Sequence, residues 1–357
     1  MYRLPCLPSN MHVHFRFSDT ELEAYVQETA RNYGYATAMP NFDKDRIRSP
    51  EQGIAYRERV QKIGRRYNQQ FTVNVPLYLE PDTSPKTVRE GFEQGAWIAM
   101  KIYPRGGTTG SEEGVHFHMM QKLAPVFKEA EELGMLVLFH AEKKFLGDGV
   151  TEIDVFKREQ MSIEHIDWIF SIAPKLRVSI EHVSSKSMTI AIRRWKKEGR
   201  RIGATVAPQY FTWNRNRLFQ GGMNPADYSI PALKEEDDRL AVAELALDLL
   251  AFAGDDSAPH PIEAKGRLRE CKGGLFNAPV SLAIYFDLFK NSGRKDWFDR
   301  FTHFACLDGP EFYGINVPVQ EVKIVEKPWV VPSTYKAGNS IVEPMFASEK
   351  IRWQIEY

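Results

Sequence analysis

Cysteine is scarce in this chain: Cys6, Cys271 and Cys306 are the three among 357 residues. An odd count at such wide spacing excludes a disulfide framework and a CxxC metal knuckle, and it fits a reducing compartment. Neither charge is in excess, since 47 Lys plus Arg balance 47 Asp plus Glu. The chain therefore lacks the positive field of a general nucleic-acid binder, and a small molecule becomes the default partner. Long apolar runs are missing as well. No stretch approaches the ~20 residues of a membrane span, and the opening Met1-Tyr2-Arg3-Leu4-Pro5 has no apolar signal-peptide core. These absences point to a cytoplasmic protein with no membrane segment. Gly/Ser-rich linkers and low-complexity tracts are also absent, which leaves a single domain over residues 1–357.

What is present is an alternation of short apolar runs with longer amphipathic ones, the mark of repeated βα units. The segment Ser18-Asp19-Thr20-Glu21 has capping-box spacing and predicts a helix running to Gly34. Ser49-Pro50 and Ser84-Pro85 open two more. Further helices are predicted at 117–133, 155–172 and 186–198. Strands are predicted around the first histidines and at 35–39, 71–79, 97–103, 135–142, 177–183, 202–206 and 249–254. Eight strands with intervening helices favour a closed (β/α)8 barrel of the TIM type, a fold that reaches ~250 residues or more with insertions. Residues 207–238 read as irregular. Residues 309–357, richer in Pro, Val and Glu, read as a C-terminal extension that wraps the barrel as strands and loops.

His12-Val13-His14 is the most informative local pattern. Side chains alternate along a strand, so two imidazoles one residue apart share a face and can share a metal. On a barrel, functional residues gather at the C-terminal strand ends, and the unusual residues fall there. His12 and His14 end the first strand, Asn41 follows the second, and Lys101 lies late in the fourth. His140 ends the fifth, His182 ends the sixth, and Asp256 follows the eighth. Taken singly, each has an ordinary explanation as a hydrogen-bonded histidine, a snorkelling lysine or a turn-capping aspartate. Together they converge on one mouth, where buried polar groups without partners would each cost several kcal/mol. A shared ligand explains all of them.

The motifs Asn10-Met11-His12-Val13-His14-Phe15-Arg16, Ala38-Met39-Pro40-Asn41, Lys101-Ile102-Tyr103-Pro104 with Thr108-Thr109, Phe139-His140-Ala141-Glu142, Glu181-His182-Val183, Asn214-Arg215-Asn216, Gly254-Asp255-Asp256-Ser257-Ala258-Pro259-His260 and Phe276-Asn277-Ala278-Pro279 together resemble dihydroorotase of the compact bacterial type (class II), in the amidohydrolase superfamily. The likeness covers residues 10–279 in order. Asn10 and Phe17 depart from it, since relatives carry acidic residues there. The resemblance implies two zinc ions per subunit, one held by His12, His14 and Asp256, the other by His140 and His182. Lys101, carbamylated by CO2 to N6-carboxylysine, would bridge them. It further implies Asp256 as proton shuttle, and substrate contacts from Arg16, Asn41, Thr108, Thr109, Ile230, His260 and Gly273. Thr108 and Thr109 would sit on a mobile lid, and Arg16 would continue the strand phase of His14. The implied reaction is the reversible closure of N-carbamoyl-L-aspartate to L-dihydroorotate in pyrimidine biosynthesis, and the implied assembly is a homodimer.

The rivals are another cyclic amidohydrolase (a hydantoinase, dihydropyrimidinase or allantoinase) and a catalytically dead scaffold. A ring without an acidic substituent has no use for Arg16, Asn41 and His260. Other histidines stay outside the site: His116 and His118 lie at a helix start, where i and i+2 do not share a face, while His165 and His303 read as surface or packing residues. The basic run from Arg193 to Arg201 reads as a solvated helix face.

Overall fold

The computed structural model describes residues 1–267 and 269–356. Ten strands precede the tail: β1 (Tyr2–Leu4), β2 (Ser9–Val13), β3 (Tyr35–Ala38), β4 (Thr72–Asn74), β5 (Leu77–Tyr78), β6 (Ala99–Ile102), β7 (Leu136–Phe139), β8 (Arg177–Ile180), β9 (Ile202–Val206) and β10 (Phe252–Ala253). Parallel pairing joins β2-β3-β4 in one arc and β5-β6-β7-β8-β9-β10 in another. The sequence reads 71–79 as one strand; the structure divides it into β4 and β5. Pro76 lies between them and has no N–H to give a ladder, which explains the break. At the other seam Val13 and Ser257 form a parallel bridge, His14 N donates to Ser257 O at 2.9 Å, and Asp256 N donates to His12 O at 2.9 Å. With β4 and β5 counted as one interrupted strand, eight positions complete the (β/α)8 barrel.

Both faces of a parallel sheet are covered, so its strands read as unbroken apolar runs. Val137, Phe139, Val178, Ile180, Ile202 and Ala204 all lie in one buried cluster. Helices cover the outside, among them Asp19–Ala30, Pro50–Gly64, Pro85–Glu93, Ala124–Glu132, Ile163–Ile172 and Lys186–Lys197. The reciprocal capping box occurs at Ser49, whose side chain accepts from Gln52 N while Gln52 reaches back. It does not occur at Ser18, whose hydroxyl turns to Thr20 Oγ1 at 2.9 Å and makes no side-chain cap. The predicted helix at 117–133 is a 3-10 segment, Phe117–Leu123, followed by Ala124–Glu132; Pro125 fits the first turn of the second piece.

Beyond residue 307 the chain first forms the helix Asp308–Tyr313 and then β11 (Val322–Val330), β12 (Tyr335–Ala337), β13 (Ser340–Val342) and β14 (Lys350–Glu356). β11 lies between β1 and β14 in an antiparallel sheet, and β12 pairs with β13. Nothing in the sequence pattern marks β1, which is three residues long. Val342 bridges Pro261 and Pro344 bridges Phe276, so the tail also braces the loops that follow β10.

Candidate active site

The C-terminal strand ends bring His12, His14, Lys101, His140, His182 and Asp256 together, all buried. His12 Nε2 lies 3.3 Å from His14 Nε2, and each of these nitrogens lies 3.4 Å from Asp256 Oδ1. His140 and His182 have ring centroids 4.5 Å apart, and His182 lies 5.1 Å from His12. The other ring nitrogen of His12, Nδ1, meets the Glu181 carboxylate. That contact fixes Nδ1 as a protonated nitrogen and turns Nε2 toward Asp256. Against the cost of burial, Asp256 and Glu181 raise the His12 imidazole above its ordinary value, so His12 Nε2 and the Asp256 oxygen form a pair that a proton or a cation can join. His140 repeats the device, with Nε2 on Glu142 Oε2 at 3.1 Å.

Burial holds His140 and His182 below the ordinary imidazole value, and His14 down to about 4, so these rings are neutral ligands in waiting. Burial alone would raise Asp256, but its contacts with His12 and His14 hold it well below the usual carboxylate range. Lys101 is fully buried and its Nζ has no hydrogen-bond partner among the described residues; the Tyr103 ring centroid is 5.1 Å away. Burial lowers its amine to about 8 despite Glu181 and Asp256. An orphaned, easily deprotonated amine among neutral imidazoles and a carboxylate suits conversion into an anionic ligand.

Three of these side chains stand on unusual backbone. Arg16, His182 and Asp256 have φ of 65°, 42° and 48°, a region that costs non-glycine residues ~1–2 kcal/mol each. Successive N–H groups after β8 show how the strain is held: His182 N donates to Thr205 Oγ1 at 2.7 Å, Val183 N to Thr205 O at 3.0 Å, and Ser184 N to Glu159 Oε1 at 2.9 Å. The left-handed turn also corrects the reading of Arg16. Its side chain reaches the mouth because the chain bends after Val13, where β2 ends, not because it continues the strand phase of His14.

A narrow cavity with about 20 Å³ of free space opens beside these groups. Its lining includes every proposed substrate contact (Arg16, Asn41, Thr108, Thr109, Ile230, His260 and Gly273) together with His14, His140, His182 and Asp256. Wider depressions elsewhere, such as that along residues 212–239, adjoin none of the clustered ligands. Arg16 Nε and Nη2 donate to Pro259 O at 2.9 and 2.7 Å, and Nη2 donates to His260 Nε2 at 2.9 Å. Burial and the Arg16 charge hold His260 far below the usual imidazole value. Its Nε2 accepts from Arg16, so Nδ1 carries the proton. Asn41 Nδ2 donates to Thr109 O at 2.8 Å and Asn41 Oδ1 accepts from Tyr103 at 3.0 Å. Ser111 pins Thr108 through two hydrogen bonds, so the threonine loop is docked over the cavity.

The two departures from the family pattern have local explanations. Asn10 Oδ1 accepts from His12 N at 3.3 Å and Asp255 N at 3.0 Å. Asp255 is already raised to about 6 by burial, and an amide at position 10 avoids a second carboxylate beside it. Phe17 packs at the rim on Phe42 and Tyr56, with Arg59 over its ring. Sequence reasoning assigned no role to Glu181, Glu142 or Tyr103. Tyr103 had a signal, since it stands two residues after Lys101 and shares its strand face. The acids Glu181 and Glu142 had one too, each beside or near a histidine at the end of an apolar run.

A (β/α)8 barrel that carries a strand-borne His-x-His, a buried lysine, two further histidines and an aspartate at its mouth defines the metal-dependent amidohydrolase class. No family model matches the chain. A mitochondrial dihydroorotase of Arabidopsis thaliana is 35% identical over 352 residues, covering 97% of this chain and 89% of the relative. The structure of dihydroorotase from Saccharomyces cerevisiae in complex with 5-fluoroorotic acid superposes with a TM-score of 0.90 at 23% identity, covering 100% of this chain and 99% of that one. An L-hydantoinase (dihydropyrimidinase) from Arthrobacter aurescens shares the fold at a TM-score of 0.76 and 16% identity, over 99% and 84%. The chain belongs to the dihydroorotase family and is a cyclic amide hydrolase. Among the described residues no helix is long and apolar enough to cross a membrane.

Proposed function

We propose that this enzyme interconverts L-dihydroorotate and N-carbamoyl-L-aspartate with two zinc ions and a carbamylated Lys101. The observation that carries the reading is the single cavity in which Arg16, Asn41 and His260 adjoin the histidine and aspartate cluster. His12, His14 and Asp256 form one ligand group; His140 and His182 would hold the second ion. A neutral Lys101 amine adds CO2 and releases a proton, giving a carbamate whose two oxygens suit a bridge. Paired divalent cations, when bound, polarise a carbonyl and lower the pKa of a bound water.

The side chains supply the rest. Arg16, fixed in advance by Pro259 and His260, offers the remaining N–H groups of Nη1 to the free carboxylate. His260 Nδ1–H and the Asn41 amide complete the grip, and the backbones of Ile230 and Gly273 read the ring. Thr108 and Thr109 close over the substrate and keep bulk water out. In hydrolysis, water attacks the ring carbonyl, Asp256 takes its proton, and the same carboxylate delivers it to the departing amide nitrogen. Ring closure runs the same steps backwards and releases water.

Residues 1–357 act as one metal-dependent domain with 309–357 as an extension, a reading supported by the pairing of β1 with β11. The proposed form is a homodimer in the cytoplasm, with no nucleic-acid or membrane partner. Purified enzyme assayed on dihydroorotate, hydantoin and allantoin, with metal measured on the same sample, tests the proposal. Preference for dihydroorotate with two zinc ions per chain is the expected result; preference for hydantoin or allantoin would replace it with the other cyclic amidohydrolase reading.

A further inference from the structure

One wall of the cavity comes from two loops that share no strand. Ile230 lies on one, Gly273 and Gly274 on the other. They meet closely: a Cβ on Gly273 would stand 2.5 Å from Ile230 Cγ1 and 3.3 Å from Tyr228 Cε1. Gly274 N donates to Tyr228 O at 3.0 Å. Two loops joined by one backbone hydrogen bond would hold their spacing poorly.

Lys265 supplies the missing fastening. It ends the short helix Ile262–Lys265 that follows His260 and is 7% exposed. Its Nζ donates to Tyr228 O at 2.8 Å and to Gly274 O at 2.6 Å. Tyr228 stands two residues before Ile230, and Gly274 stands next to Gly273. The ammonium is absent from the cavity lining, so it does not touch the substrate. Burying an ammonium costs several kcal/mol unless its donors are used, and burial does lower this amine, to about 8. Asp227 and Glu343 offset part of that cost electrostatically.

We propose that Lys265 is a positioning residue that sets the gap between the Ile230 and Gly273 backbones, and so fits the wall to a six-membered cyclic ureide. The inference deepens the dihydroorotate reading and rests on it. Replacing Lys265 with Met keeps the apolar stem and removes the donors. The expected result is a rise in KM for dihydroorotate of about tenfold, the loss of one to two ordinary hydrogen bonds. The kcat should stay within about threefold, with zinc content unchanged. Lys265→Gln, which keeps two N–H donors, should recover part of the KM and stands in if the Met variant does not fold. A clasp with only a structural role would lower the melting temperature and the active fraction while leaving KM unmoved. That outcome, or a fall in kcat alone, overturns the proposal. Failure of the wild-type enzyme to turn over dihydroorotate is a separate result and would remove the underlying reading instead.

Discussion

Arg16→Ala gives the sharpest test of how the substrate is held. In the folded enzyme the guanidinium already donates twice to Pro259 O and once to His260 Nε2, so its orientation is settled before substrate arrives. The backbone contributes nothing to the difference, because Ala at φ 65° carries the same left-handed cost as Arg. What is lost is the charge-assisted pairing with a carboxylate, worth ~1.5–3 kcal/mol, which corresponds to a rise in KM for carbamoyl aspartate of about 10- to 150-fold. In the proposed binding mode the reacting carbonyl lies at the ligand cluster and not at Arg16, so kcat should change by less than about fivefold. Arg16→Lys restores charge without the planar fork and should recover less than half of the lost binding energy. Steady-state kinetics in the ring-closing direction measures each quantity. A KM within twofold of wild type would refute the assigned role; equal losses in kcat and kcat/KM would show that Arg16 acts only in the transition state.

Asp256→Ala should abolish turnover, by roughly 10³-fold or more if the shuttle role is right, with circular dichroism and melting little changed; wild-type rates would remove Asp256 from the mechanism. Lys101→Met should reduce bound zinc below two ions per chain by elemental analysis, and native mass spectrometry should find the wild-type chain ~44 Da heavier than its sequence; two ions without the added mass would refute the carbamate bridge. His165, lowered to about 4 by burial, stays neutral in the folded state while the unfolded chain binds a proton below about 6.5. Its contribution to stability is present above pH 6.5 and is lost as pH falls toward 4. Urea melts at pH 6.5 and 5 should therefore differ by about 1 kcal/mol more in wild type than in His165→Phe, after allowance for partial solvent contact.

Much of this was legible because barrel chemistry is local in sequence. His12, Lys101, His140, His182 and Asp256 stand at or just past the ends of apolar runs, so each could be found from the run that carries it. The break at Pro76 could have been read from the missing N–H. The left-handed turns at Arg16, His182 and Asp256 could not, since nothing about an arginine or a histidine announces positive φ. They depend on partners far along the chain, such as Thr205 and Glu159 for the turn at His182. Ser18 shows the converse, a correct local motif whose hydroxyl found a nearer partner in Thr20. Lys265 escaped notice because a lysine among charged neighbours looks like a solvated one.

The sheet formed by β1, β11 and β14 also bears on how the molecule is made. Tyr2–Leu4 is synthesised more than 300 residues before its partner strand, Val322–Val330. The braces that Val342 and Pro344 give to the loops after β10 come later still. A nascent chain can assemble its early βα units as they emerge, but it must hold an unfinished rim open until the β11–β14 segment has been made. Synthesis of the β11–β14 segment and maturation of the catalytic mouth are thereby coupled in time.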